Sequence, residues 1–300
     1  MPEWQAHFAE AAPGLEVRWL DDPGVDPASV HYVFVWQPPR GKLASLPNLR
    51  LICSSGAGVE HIVCDPTWPR HLGIVRMGGV ETVQRMNEYV CLAALALLRG
   101  LPRMIAQQNA RHWDSFDNGR CATDTRVGVM GLGNLGAAAA QALVGLGFPV
   151  CGWSRSAKDL PGVRTFAGEG ARDAFLAQSE ILVCLLPETP DTRGAIRAET
   201  IARLPTGAGV VNAGRGPHVV LPDLLAALDA GRLSGAVLDV FEQEPLAADS
   251  PVWAHPKVIV TPHVASLASR RARAWYVAEA VAAFQRGKVP PNLYDPVRGY

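Results

Sequence analysis

Short runs of β-branched and apolar residues alternate along the chain with longer amphipathic or apolar stretches. This pattern predicts strands separated by helices and hence a parallel α/β sheet. In the first third, Glu3 to Ala12 reads as an amphipathic helix, and Leu15 to Leu20, Tyr32 to Val35, Leu49 to Cys53 and Gly73 to Val75 read as short strands. Val83 to Leu98 is the longest strongly apolar helix and is stopped by Arg99-Gly100-Leu101-Pro102. Arg103 to Arg120 is polar and loosely helical, and reads equally as a solvated connector and as an arm used in dimerisation. Such a domain normally opens on a strand, but this chain begins almost directly at a helix. The expectation is one sheet position left empty, or filled by the tail or a partner, from a start downstream of the native one.

The alternation resumes with Val127 to Met130 and an alanine-rich helix, then Pro149 to Trp153, Ile181 to Leu186, Gly209 to Asn212, the helix Pro222 to Ala230, Gly235 to Val240 and Val258 to Val260. Ala265 to Gln285 reads as a last helix that returns to the first domain, and Gly287 to Tyr300 as an extended tail. The succession fits a doubly wound sheet, and 300 residues suit two domains.

Charge and composition narrow the classes of partner. Lys+Arg and Asp+Glu are both 28, so no global field marks the chain for nucleic acid or an anionic membrane, and a small-molecule ligand is the default. Six cysteines stand without a C-x-x-C pair and read as reduced thiols of a cytoplasmic protein. Neither a signal peptide nor a membrane span is expected, and no metal site is called.

The strand Val127 to Met130 runs into Gly131, Gly133 and Gly136, a G-x-G-x-x-G turn that opens a helix. Gly131 permits the turn, Gly133 admits a pyrophosphate to the backbone, and Gly136 lets helix and strand pack closely, with the phosphates at a helix N-terminus. After the next strand, an NAD enzyme would carry an Asp or Glu for the ribose hydroxyls. Here stand Ser154, Arg155, Ser156 and Lys158, so NADP is the expected cofactor, with NAD possible. In the first domain, the small-residue loop Ser54 to Glu60 follows a strand end. Its Ala57 and Gly58 amides read equally as a carboxylate cradle and as a tight turn. Trp36 reads as a pocket wall or as a core tryptophan.

Three charged side chains follow late strand ends: Arg215 in NAGRG, Glu244 in DVFEQEP and His263 in TPHVAS. Singly they read as a turn residue, a solvated carboxylate and a satisfied histidine. In order after a nucleotide fold they read as an active site.

With the motifs GLGNLG, LLPETPDT, NAGRG, LDVFEQEPL and TPHVAS, the whole chain resembles the D-isomer-specific 2-hydroxyacid dehydrogenase family. The stretches VWQPP, SGAGVEHI, FPVCGWSRSAKDLPGV, SPVWAHPKV and the ending RGY are most similar to its glyoxylate/hydroxypyruvate reductase A group. The resemblance implies two Rossmann-like or flavodoxin-like lobes with the active site in the interdomain cleft. Residues 1–93, completed by 268–300, would bind substrate, and 94–267 the dinucleotide. It makes Arg215 the carboxylate-binding arginine, His263 the acid/base and Glu244 its orienting partner. Asn134, Leu135, Leu186, Pro187, Ala213, Asp239 and Ala265 join the cofactor site, Asp239 near the nicotinamide. Glu60 stands where the family usually has Asp.

The implied activity is reduction of a small 2-oxo acid, glyoxylate or hydroxypyruvate, by a homodimer. Arg215, helped by the Ala57 and Gly58 amides, would bind the carboxylate, His263 would protonate the carbonyl oxygen, and Glu244 would favour the charged imidazolium. The alternatives are a larger 2-oxo acid as substrate, or a nucleotide-sensing binding protein on the same fold.

Overall fold

A computed structural model of the chain describes residues 2–296 and 299, so the expected RGY ending lies largely outside the described residues. The chain divides into two compact units, residues 1–82 with 267–300, and residues 83–266. The first division falls in the opening turn of the long apolar helix, which spans Val80–Leu98.

The first unit carries a parallel sheet of β1 (Tyr32–Val35), β2 (Leu51–Ser54) and β3 (Gly73–Val75) in that order. Alternation along each strand sorts its side chains between two layers. Leu51, Cys53 and Val75 pack with Phe8 of the helix Pro2–Ala11 and with Ala274, Val277 and Val281 of the helix Arg270–Gln285. On the other face Val33, Ile52 and Ile74 pack with Leu43, Ile62 and Trp68. The last helix therefore belongs to the first unit's core, although its residues come at the end of the chain.

Leu15 to Leu20 forms no strand, contrary to its pattern. The apolar Leu15 and Val17 still pack on the core, but the Val17 carbonyl accepts from the Gln5 side chain rather than from a neighbouring strand. A strand exists only with a partner, and among the described residues this segment joins no strand ladder. The described residues also place no backbone hydrogen bond on the outer edge of β1. The tail instead covers the opposite edge, where the Arg76 amide donates to the Asn292 carbonyl and the Tyr294 amide to Ile74 beside β3.

The second unit is a seven-stranded parallel sheet: β4 (Val127–Met130), β5 (Val150–Ser154), β6 (Val163–Ala167), β7 (Ile181–Cys184), β8 (Ala208–Asn212), β9 (Leu233–Leu238) and β10 (Val258–Val260). The order β10-β9-β8-β7-β4-β5-β6 reverses direction between β4 and β7, which defines a doubly wound sheet with its switch point at the glycine turn. One face of Val127, Val129, Val183, Val211 and Val237 is covered by Met86, Val90, Ala139 and Leu143. The other, with Met130, Leu182, Val210 and Leu238, is covered by Phe175, Ile201, Leu224 and Leu228. Coverage on both faces is why these strands are nearly uniformly apolar. The edge strand β6 escapes that pattern with its polar Arg164 and Thr165. Among the described residues no single helix is long and apolar enough to cross a membrane, and no group of three or more His, Cys, Asp or Glu is placed to hold a metal ion.

Candidate active site

At the end of β4 the three glycines have different surroundings. Gly131 has φ +102°, open to glycine at little cost, and a Cβ there would lie 2.7 Å from the Leu185 carbonyl oxygen. At Gly136 a Cβ would lie 1.8 Å from the Gly131 carbonyl oxygen, so only a bare Cα lets the helix Asn134–Gly145 approach the turn. A Cβ on Gly133 would meet no protein atom within 4 Å. No side chain caps this helix, whose first N–H groups and dipole suit an anion.

At the end of β5, Ser154 is buried and donates its hydroxyl to the Ser156 carbonyl at 2.7 Å, which closes the turn. Arg155, Ser156 and Lys158 are exposed on it. Leu186, Ala213 and Ala265 are buried at the ends of β7, β8 and β10, with Pro187 half-buried after Leu186.

The loops after β8, β9 and β10 are tied into one constellation. Gly216, next to Arg215, lies so close to the β9 loop that a Cβ would be 1.9 Å from the Phe241 carbonyl carbon. The Phe241 amide donates to Glu244 Oε1 at 2.9 Å, and Glu244 Oε2 lies 2.7 Å from His263 Nδ1. With a carboxylate as acceptor, Nδ1 carries a proton. His263 has φ +55°, a left-handed conformation costing a non-glycine residue about 1 kcal/mol. Its amide donates to the Asp239 carbonyl at 2.8 Å, one of the bonds that hold it there.

Asp239 is 1% exposed and organises that turn. Its Oδ1 accepts from the Thr261 hydroxyl at 2.6 Å and the Val264 amide at 2.9 Å, and Oδ2 accepts from the Ala265 amide at 2.9 Å. Because Thr261 gives its only hydroxyl proton to Asp239, the Tyr89 hydroxyl 2.7 Å away must donate to Thr261. Burial pushes the Tyr89 phenol well above its ordinary value and keeps it a donor.

Arg215 is fixed within its own loop. Its Nη1 donates to the Gly214 carbonyl at 2.7 Å, while Asn212 Nδ2 donates to the Arg215 carbonyl at 2.9 Å. In the first unit, Ser54 braces the glycine loop: its hydroxyl donates to the Gly58 carbonyl at 2.9 Å and accepts from the Gly56 amide at 3.2 Å. His61 Nε2, 3.1 Å away, must therefore donate to Ser54. The Ala57 and Gly58 amides have no hydrogen-bond partner among the described residues. Trp36 stacks on the His61 ring at 3.9 Å and lies against Gly56, where a Cβ would be 2.3 Å from the indole. At 43% exposure it is no core tryptophan.

Residues 91–265 match the D-isomer specific 2-hydroxyacid dehydrogenase, NAD binding domain family. The chain belongs to the D-isomer specific 2-hydroxyacid dehydrogenase family. Solved members of the family are similar over the full chain. The D-isomer specific 2-hydroxyacid dehydrogenase from Xanthobacter autotrophicus Py2, in complex with NADPH and MES, is 42% identical with TM-score 0.93, over 100% of this chain and 96% of that one. An NADPH-dependent glyoxylate/hydroxypyruvate reductase from Sinorhizobium meliloti, with NADP and sulfate, is 39% identical with TM-score 0.93, over 100% and 97%. A probable 2-hydroxyacid dehydrogenase from Rhizobium etli CFN 42, with NADP, HEPES and L(+)-tartaric acid, is 38% identical with TM-score 0.90, over 100% and 96%.

The glycine turn fits the dinucleotide that the family's domain binds, because its tightest positions are glycine and its open side is the uncapped helix end. This separates two substitutions. Gly136→Ala should destabilise the protein by about 1–3 kcal/mol through overpacking. Gly133→Ala should leave the melting temperature nearly unchanged and weaken nucleotide binding by about tenfold, or ~1.4 kcal/mol. Thermal denaturation and fluorescence titration with NADPH check the pair; equal losses of stability would contradict it.

Sequence reading missed several supporting residues: His218 and Asn212 beneath the Arg215 loop, Thr261 and Tyr89 beneath Asp239, and Ser54 and His61 beneath the glycine loop. Asn212 and Thr261 stand inside the motifs NAGRG and TPHVAS and His218 two residues after the first, which were signals; Tyr89, Ser54 and His61 carried none from those motifs. Their partners, on other strands and helices, were not legible without the fold.

Proposed function

We propose that this protein is a reductase of small 2-oxo acids, glyoxylate and hydroxypyruvate, with NADPH as the preferred reductant. The observation that carries the proposal is the His263–Glu244 pair, locked to the Arg215 loop through Gly216 and Phe241. The nucleotide supplies a hydride when bound. The chain's own groups supply the rest. Arg215 binds the substrate carboxylate with its planar fork and orients the ketone. Its bond to Gly214 limits the guanidinium's freedom before substrate arrives. In the first unit, the Ala57 and Gly58 amides, without a hydrogen-bond partner among the described residues, suit a carboxylate. His263 donates the Nε2 proton to the carbonyl oxygen, while Glu244 accepts from Nδ1 and stabilises the charged ring.

The NADPH preference is supported by the exposed Arg155, Ser156 and Lys158 on a turn without a carboxylate. The substrate class is supported by the resemblance to the Sinorhizobium meliloti reductase, 39% identical. A panel of 2-oxo acids of increasing size, each with NADPH and with NADH, tests the reading. The highest kcat/KM is expected for glyoxylate and hydroxypyruvate with NADPH. A maximum at a branched or aromatic 2-oxo acid would contradict the substrate, while leaving the chemistry in place.

A cytoplasmic location is proposed on the free thiols, of which Cys53, Cys151 and Cys184 are buried and Cys64 and Cys121 exposed. Burial pushes Cys53 and Cys184 up to about 12, so they are held as unreactive thiols. A homodimer is proposed on exposed apolar side chains of the second unit, Leu92, Met104, Ile105 and Trp113, the last 98% exposed. Sedimentation velocity should give twice the chain mass, and Trp113→Asp with Ile105→Asp should give the monomer. A monomeric unmodified protein would contradict it.

A further inference from the structure

His218 is fully buried, yet its two ring nitrogens serve different loops. The Arg215 amide donates to Nδ1 at 3.0 Å, and Nε2 lies 3.2 Å from the Pro187 carbonyl oxygen. A backbone N–H can only donate, so Nδ1 is the bare nitrogen, and Nε2 carries the ring proton and gives it to Pro187. Cys184 Sγ, 3.6 Å from Nδ1, is a weak additional neighbour. The fit is close: a Cβ on Gly214 would lie 2.9 Å from Nδ1 and 3.0 Å from the Leu186 carbonyl oxygen. The ring thus fills the space between the end of β7 and the loop after β8.

Those segments have separate duties in the reading proposed above, on which this inference rests. The family resemblance puts Leu186 and Pro187 in the cofactor site, and the proposed reaction has Arg215 bind the substrate carboxylate. We propose that His218 is a positioning residue that holds the substrate arginine and the nucleotide loop in one register, Nδ1 serving the former and Nε2–H the latter. The division follows from the ring's chemistry. An apolar side chain would leave the Arg215 amide and the Pro187 carbonyl to other partners. The Pro187 carbonyl also accepts from the Thr192 hydroxyl at 2.7 Å.

Two conservative variants separate the nitrogens. Asparagine reproduces the acceptor near Nδ1 and lacks the distal donor; glutamine carries an amide donor near Nε2 and lacks the proximal acceptor. In His218→Asn the NADPH dissociation constant, measured by fluorescence titration without substrate, should rise about five- to tenfold, with the KM for glyoxylate within about twofold of the unmodified value. In His218→Gln the split should reverse. The KM for glyoxylate and the dissociation constant of oxalate should rise about five- to tenfold, with NADPH binding within about twofold. Equal shifts of both constants in both variants would reduce His218 to a packing residue and overturn the proposal, as would no shift in either or the opposite split. Nitrogen chemical shifts of 15N-histidine in the unmodified protein give a check that needs no variant. A bare Nδ1 and a protonated Nε2 are expected for His218, and a protonated Nδ1 would overturn the assignment. If the unmodified protein reduced no 2-oxo acid, the proposed activity would fall, while the NADPH and oxalate titrations would still decide the role of His218.

Discussion

His263→Ala should lower kcat for glyoxylate reduction by about two to four orders of magnitude, the usual worth of a general acid, with NADPH affinity unchanged. The size of the effect follows from the geometry. In the proposed reaction Nε2 donates to the carbonyl oxygen, and Nδ1 is engaged by Glu244 at 2.7 Å. The left-handed backbone that aims the ring is maintained by bonds from the Asp239 turn. Alanine removes the proton donor without removing the turn, because the Asp239 carboxylate bonds to Thr261, Val264 and Ala265 and not to the imidazole. Glu244→Gln should give an intermediate loss, about ten- to a hundredfold, by exchanging a charge-assisted hydrogen bond for a neutral one. Unchanged melting and unchanged NADPH titration would place both losses in the chemical step. Near-normal turnover in His263→Ala would assign the proton to another group.

Arg155→Asp should erase or invert the preference for NADPH over NADH. The unmodified enzyme should favour NADPH by at least about tenfold in kcat/KM, mostly through KM. Arg155, Ser156 and Lys158 stand exposed after β5, and Ser154 to Lys158 contains no carboxylate. A guanidinium can grip a 2′-phosphate with two parallel hydrogen bonds, and each bond to a charged group is worth about 1.5–3 kcal/mol. Aspartate reverses the sign. It repels the phosphate and accepts from the ribose hydroxyls of NADH. Because Ser154 uses its hydroxyl to close the turn on the Ser156 carbonyl, Ser154→Ala should change cofactor choice far less than Arg155→Asp. Steady-state kinetics with each nucleotide measures both effects. Equal efficiency with NADPH and NADH in the unmodified enzyme would show that these side chains do not read the phosphate.

What could be read before folding was what depends on short spacing. The β4 strand, its glycine turn and the following helix carry their pattern within a few consecutive residues, and β10 is likewise bounded as its apolar run predicts. The three catalytic candidates were legible because each sits in a distinctive motif at a strand end. Properties that depend on distant partners were not. Leu15 to Leu20 has a strand's composition and no strand beside it, while β6 has a neighbour but, as an edge strand, lacks the continuous apolar pattern. Asp239 was expected near the nicotinamide. The fold gives its carboxylate three donors in the 261–265 turn, a role invisible until β9 and β10 are adjacent. His218 was not singled out in the sequence, because its partner Pro187 lies thirty-one positions earlier on another strand's end.

The proposed function requires this constellation to carry out a reduction rather than merely to sense a nucleotide. A single-turnover reaction, with enzyme in excess over NADPH and with glyoxylate supplied, tests this most directly. Every equivalent of NADPH should be oxidised and one equivalent of glycolate should appear with it, the rate collapsing in His263→Ala. NADPH that binds tightly yet stays reduced in the presence of glyoxylate, hydroxypyruvate and larger 2-oxo acids would contradict it.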